Sequence, residues 1–252
     1  YQVITGTSVG GADESDQRAL LPMVDQLDAS GMKPDVLEAD TGYGSGENIV
    51  EAARRGVDLQ APVRDPDAPP RRDHFVAPVE GEQDSAQPPT ESTDAVDTAA
   101  PLGMESFRFD SKFLKVESCP EGHEPVRQNE SPDLLIAVFS REHCSVCPLA
   151  DRCPTRELAS GERQLRRSPA KVATEQRQAE QQTVEFKESY RIRSGIESTN
   201  AELKSRHGLG DLRVRGKPRV ELASVFKSLA LNVKRAMEFH VHQMRQCAPA
   251  AP

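Results

Sequence analysis

The chain has 252 residues, enough for one large or two small domains, but only 36% are hydrophobic and none is tryptophan, so part of it contributes little to a core. No stretch approaches the ~18 apolar residues of a membrane span and nothing at the N-terminus reads as a signal peptide, which predicts a soluble, cytoplasmic protein without a membrane partner. The formal net charge of −8 argues against a nucleic-acid binder when taken whole, yet residues 155–252 hold 19 Lys and Arg against 11 Asp and Glu and the rest 13 against 29, so the basic half suits a DNA backbone.

Residues 1–9 alternate well enough for a strand (Val3, Ile4, Thr5, Thr7, Val9), and Gly10-Gly11 ends it. A helix follows, with Asp16 as its cap, Leu20, Val24 and Leu27 at helical spacing, Pro22 confined to the first turn and Gly31 as the stop. Residues 36–39 form a short buried strand ending in Asp40, and strand, helix, strand with short links implies a parallel or mixed sheet. The Gly-rich turn 41–46 has neither G-K-[ST] nor G-x-G-x-x-G, so it is not read as a phosphate loop. It leaves Asp40 at a strand's C-terminal edge, where open sheets place their sites, although a plain turn aspartate fits the same pattern. Residues 47–55 read as a helix with Ser45 as N-cap, and 57–63 as a last core strand.

From 64 to 106 the chain is rich in Pro, Asp, Glu, Ser, Thr and Ala, the composition of a disordered acidic linker. Residues 107–154 are compact again and hold Cys119, Cys144, Cys147 and Cys153, with a strand at 134–139. In a reducing compartment these cysteines suggest a structural Zn²⁺ site, free thiols or an iron–sulfur cluster; His123 and His143 are alternative ligands, and Cys247 has no partner pattern. Residues 158–182 are polar and read as a helical or loose lead-in to a helix beginning near 183 and stopping in the Gly-rich 207–210. Arg213, Arg215, Lys217 and Arg219 then make a basic turn able to sit on phosphates, or simply a solvated loop. Pro218 opens a last helix with Val220, Ala223, Phe226, Ala230, Val233 and Met237 as its buried stripe.

The helix from 183 carries the clearest pattern. At about 100° per residue, Tyr190, Arg193, Glu197 and Lys204 fall on one face, with Ile192, Ile196, Thr199 and Leu203 opposite. On spacing alone this is a charged amphipathic helix.

The pattern Y-x2-R-x3-E-x6-K formed by those four residues resembles the signature around the catalytic glutamate of DDE transposases of bacterial insertion sequences. Residues 34–43, ending Asp40-Thr41-Gly42-Tyr43, resemble the same family's strand with the second catalytic aspartate, and Asn232-Val233-Lys234-Arg235 also fits. The resemblance implies an α/β chain with part of a ribonuclease H-like fold, a mixed sheet flanked by helices, interrupted by an insertion bearing the cysteine module. Its core would comprise residues 1–63 and 155–245, with 64–106 as linker, 107–154 as insertion and 246–252 as tail. It implies metal-dependent DNA cleavage and strand transfer, with Asp40 and Glu197 holding Mg²⁺ or Mn²⁺ and Tyr190, Arg193 and Lys204 on the DNA, and as partners transposon ends, target DNA and a second copy of the chain. The family's first aspartate would precede Tyr1, since Asp13, Asp16 and Asp25 lie on no such strand; the chain reads as a C-terminal fragment expected to lack activity alone. Other readings are a non-catalytic DNA-binding remnant, a zinc-containing binding module, or an interaction protein.

Overall fold

A computed structural model describes residues 3–11, 13–64, 101–129 and 131–247, and its architecture is mixed α/β, with helices around small sheets. Of the strand expected at 1–9, the described residues 3–9 form none. An alternating segment becomes a strand only where an edge accepts it, and here the backbone N–H and C=O of Ile4 are both engaged by the Asn232 carboxamide, at 2.8 and 2.7 Å. A 3-10 turn, Asp16–Ala19, leads into α1 (Leu20–Ala29); the Asp16 side chain lies outside the described residues. Pro22 sits in the first turn, where no N–H is required, and Gly31 at φ 68° ends the helix. Next come β1 (Val36–Glu38), α2 (Gly46–Arg54) and β2 (Asp58–Gln60), with β1 and β2 parallel. Ser45 caps α2 by accepting from the Asn48 N–H. Strand β1 is less buried than expected, since Val36 is exposed. Val24, Ile49, Ala52, Val57, Leu59 and Ala61 form the first core.

The segment read as linker ends earlier than expected. Residues 65–100 lie outside the described residues, but in the 3-10 turn Met104–Ser106 the Met104 side chain is buried beside Phe107, because both supply the apolar surface of a second core. Strands β3 (Arg108–Phe109) and β4 (Val116–Ser118) form an antiparallel hairpin. Then β5 (Arg127–Gln128), β6 (Leu135–Phe139), α3 (Arg141–Cys144), β7 (Arg156–Glu157) and β8 (Arg163–Arg167) follow, the strands making an antiparallel sheet in the order β5-β6-β8-β7. The boundary expected at 154 is therefore not there: β7 and β8 complete the sheet of the cysteine module. Part of the stretch read as a loose lead-in is thus a strand, whose single buried apolar residue, Leu165, sits among arginines that hide the alternation. Helix α4 (Pro169–Glu180), capped by Ser168, joins the two cores, with Ala173 in the first and Val172 in the second.

The glutamate helix is two helices, α5 (Val184–Tyr190) and α6 (Ser194–Ser205), joined by a 3-10 turn at Arg191–Arg193. Thr199 and Leu203 are buried as expected; Ile196 is exposed, and the Ile192 side chain lies outside the described residues. The last helix, α7 (Lys217–Cys247), packs by a different face from the one predicted. Ser224, Ser228 and Leu231 are buried, while Phe226 is 61% and Met237 65% exposed. Polar contacts set that rotation: Asn232 holds Ile4, Lys227 donates to the His207 carbonyl, and Lys234 and Arg235 reach Glu202. Among the described residues no helix is long and apolar enough to cross a membrane.

Gly46 shows why the turn after Asp40 is Gly-rich. A Cβ there would lie 1.9 Å from the Ala170 carbonyl oxygen, so α2 and α4 approach this closely only over a glycine. Gly46→Ala is expected to destabilise the protein by about 1–3 kcal/mol, read as a lower urea midpoint, while Gly42→Ala, where a Cβ meets nothing within 4 Å, leaves the midpoint nearly unchanged.

Candidate active site

The site is built on a ladder of cations and rings that starts in the core. Arg177, only 6% exposed, donates to the Leu59 carbonyl at 3.0 Å and faces Asp58 and Glu180 at 3.5 and 3.4 Å. Its guanidinium lies over the Phe186 ring, 5.2 Å from the centroid, and Phe186 stacks on Tyr190 at 5.7 Å and 15°. The Tyr190 hydroxyl donates to the Ala39 carbonyl at 3.1 Å, pinning α5 to the end of β1. Arg193 lies over the Tyr190 ring, 5.6 Å from its centroid, and reaches Asp40 at 3.2 Å and Glu197 at 3.4 Å. Burial, with Asp40 adding and Arg193 opposing, pushes the Tyr190 phenol above its ordinary value, so it remains a donor at neutral pH.

Asp40 keeps its turn role as well. Its Oδ1 accepts from the Thr41 N–H at 2.6 Å and its carbonyl from the Tyr43 N–H at 2.8 Å, which leaves Oδ2 for Arg193. Asp40 and Glu197 stand at 54% and 68% side-chain exposure, so both stay hydrated and open to an incoming ligand. Paired carboxylate oxygens on opposite ends of one guanidinium are a hard donor set of the kind that Mg²⁺ or Mn²⁺ takes together with waters and substrate phosphates. Among the described residues, however, no group of three or more His, Cys, Asp or Glu is set closely enough to hold a metal ion.

Of the residues singled out in the sequence, Asp40, Tyr190, Arg193 and Glu197 come together. Lys204 is exposed further along α6, and Arg213, Arg215, Lys217 and Arg219 are all exposed around the turn into α7. In the segment Asn232 to Arg235, Val233 is exposed while Lys234 and Arg235 reach Glu202 at 2.5 and 3.3 Å. Arg177, Phe186 and Glu202 were not foreseen as site supports; the i, i+4 spacing of Phe186 and Tyr190 on a helix is the signal that could have found the first rung.

Cys119, Cys144, Cys147 and Cys153 are free and half-buried, and all four line one cavity of about 30 Å³ together with Glu121, His123 and His143. The two imidazole rings stack at 4.0 Å and 11°. Burial, and then the neighbouring Cys119, Cys147 and Cys153, push the Cys144 thiol above its ordinary value. The Cys247 side chain lies outside the described residues.

Residues 118–237 match the family of transposase DDE domains. The matched stretch runs from β4 through the cysteine module to α7 and contains Tyr190, Arg193, Glu197, Lys204 and the basic turn; Asp40 precedes it. Over this stretch the chain is similar to transposase DDE domains, and its Y-x2-R-x3-E-x6-K row lies within the matched residues. No curated protein and no solved structure matches the chain.

Hydrogen bonds, to Lys234 first and then Arg235, hold the Glu202 carboxyl below its usual value of 4.5. A carboxylate with a lowered folded value stabilises the fold above its unfolded value and loses that contribution as pH falls through the folded one. Acidification below about pH 4.5 is therefore expected to lower the melting temperature, and Glu202→Gln to flatten that dependence in scans at stepped pH. Glu51, lowered chiefly by its hydrogen bond from Arg55, has the same sign and accounts for part of the slope left in the variant.

Proposed function

We propose that this chain supplies two of the carboxylates and much of the DNA-facing surface of a DDE transposase that cleaves DNA and transfers strands at transposon ends. One observation carries the reading: a single guanidinium, Arg193, gathers the carboxylate at the end of β1 and the carboxylate of α6, though they come from distant parts of the sequence. On this reading β1, α2, β2 and the glutamate helix belong to a ribonuclease H-like core, and the cysteine module is an insertion in it.

Asp40 and Glu197 would hold Mg²⁺ or Mn²⁺ through their carboxylate oxygens. Divalent ions there would activate an attacking hydroxyl and stabilise a leaving oxygen. Arg193 keeps the two carboxylates facing one point, and its planar fork suits a phosphodiester equally well. Tyr190 fixes the glutamate helix to the end of β1 through Ala39. Lys204 and the cluster Arg213, Arg215, Lys217 and Arg219 are exposed cations that would follow the DNA backbone outward, with two copies of the protein on paired ends.

Because no third carboxylate joins the pair among the described residues, we expect the chain on its own to bind DNA without cutting it. The competing reading, a DNA-binding protein with no catalytic role, rests on the same observation. In a transposition assay with the active transposase, Asp40→Asn and Glu197→Gln are each expected to lower strand cleavage by about 10³-fold, several kcal/mol of lost charge stabilisation, while end binding persists. Unchanged cleavage would leave DNA binding as the function. For the isolated chain, affinity for a duplex should fall steeply with salt, and Arg215→Ala with Lys217→Ala should reduce the slope of log K against log salt by about 2. An unchanged slope places the DNA elsewhere.

A further inference from the structure

We propose that Cys119, Cys144, Cys147 and Cys153 bind a single Zn²⁺ ion that fastens the segment between β6 and β8, a site independent of the carboxylate pair. The four thiols come from separate pieces of backbone, each set by a turn. Cys119 follows β4, where the Gly122 N–H donates to the Cys119 carbonyl at 2.8 Å and the Cys119 N–H to the His123 carbonyl at 2.9 Å. Cys144 ends α3, and the next turn brings the Cys147 N–H to the Cys144 carbonyl at 3.5 Å and the Ala150 N–H to the Cys147 carbonyl at 3.2 Å. Cys153 precedes β7, with its sulfur 3.1 Å from the buried Thr155 hydroxyl. All four line the same cavity and none is in a disulfide.

The size of the cavity and its donors select the ligand. About 30 Å³ is room for an ion or a couple of waters, not for a cluster of several irons and sulfides. Four thiolates are a soft set that complete a tetrahedron by themselves, which zinc takes and Mg²⁺ does not. The stacked His123 and His143 then flank the site rather than ligate it. As they stand the thiols are not set closely enough to hold an ion, so binding would draw the sulfurs inward to about 2.3 Å from it and release their thiol protons to solvent.

Packing gives the ion a purpose. Between Phe139 and Leu165 no described apolar side chain is buried, so the segment carrying three of the four cysteines has no core of its own. Cys119, Cys144 and Cys153 pack against the second core, and an ion shared among them would hold the loop on the β5-β6-β8-β7 sheet as a small hydrophobic cluster does elsewhere.

The test uses the whole chain purified under reducing conditions without chelator. Elemental analysis is expected to give one zinc per chain, and exchange with Co²⁺ to give thiolate-to-cobalt charge-transfer bands with strong tetrahedral d–d absorption. Zinc should slow the reaction of these thiols with a disulfide reagent on the order of 10-fold or more, and stripping it should restore their reactivity. Cys147→Ser should lose the cobalt spectrum, and His123→Ala with His143→Ala should keep it. A chain that folds without metal and whose thiols react equally fast with and without added zinc overturns the proposal, as does a brown iron–sulfur chromophore or loss of the cobalt spectrum in the histidine variant.

Discussion

A buried arginine sets the geometry of this protein. Arg177 takes a positive charge into the interface between β2 and α4, and the cost of its desolvation is offset by the Leu59 carbonyl, the nearby Asp58 and Glu180 and the face of Phe186. Among the described residues one guanidinium nitrogen, Nη1, has no hydrogen-bond partner, so the remaining contacts cannot be exchanged for others at little cost. Phe186 is thereby fixed, Tyr190 stacks on it, and Arg193 closes over Tyr190. The position of Glu197 relative to Asp40 follows from packing laid down well away from either carboxylate.

The same helix α4 that carries Arg177 also joins the two cores, so the cysteine module is mechanically continuous with the carboxylate site. The family match, which begins at the cysteine module and ends in α7, spans that continuity. The chain thus holds two donor sets of opposite chemistry. One is an open pair of hydrated carboxylates suited to a hard ion that must exchange waters and phosphates; the other is an enclosed set of thiols suited to a soft ion that stays.

The cluster of Asp40, Tyr190, Arg193 and Glu197 was largely legible in the sequence because its parts are local. The Y-x2-R-x3-E row needs only helical spacing, and Asp40 is marked by the strand before it and the Gly-rich turn after it. Ser45 and Gly31 likewise announce helix ends by their own chemistry. Most of the misreadings have a different cause, since they concerned segments whose partner lies far off in sequence. Strand β8 shows one apolar residue among arginines, and only its pairing with β6 reveals it. Residues 3–11 alternate like a strand, but Asn232 takes the backbone groups of Ile4. The apolar row of α7 was assumed to face inward, whereas ion pairs to Glu202 turn Ser224, Ser228 and Leu231 inward instead. Met104 looked like the end of an acidic linker because burial of a lone methionine leaves no periodic signal.

The central claim is that Asp40 and Glu197 address one and the same divalent ion. Fe²⁺ replaces Mg²⁺ at oxygen-ligand sites, and with peroxide and ascorbate it cuts the polypeptide where it is bound. With a DNA duplex present to supply phosphate ligands, the account predicts two cuts in the same chain, one beside Asp40 and one beside Glu197, and the loss of both in Asp40→Asn. A cut beside Glu197 that survives Asp40→Asn would mean that the two carboxylates do not share an ion, and would contradict it.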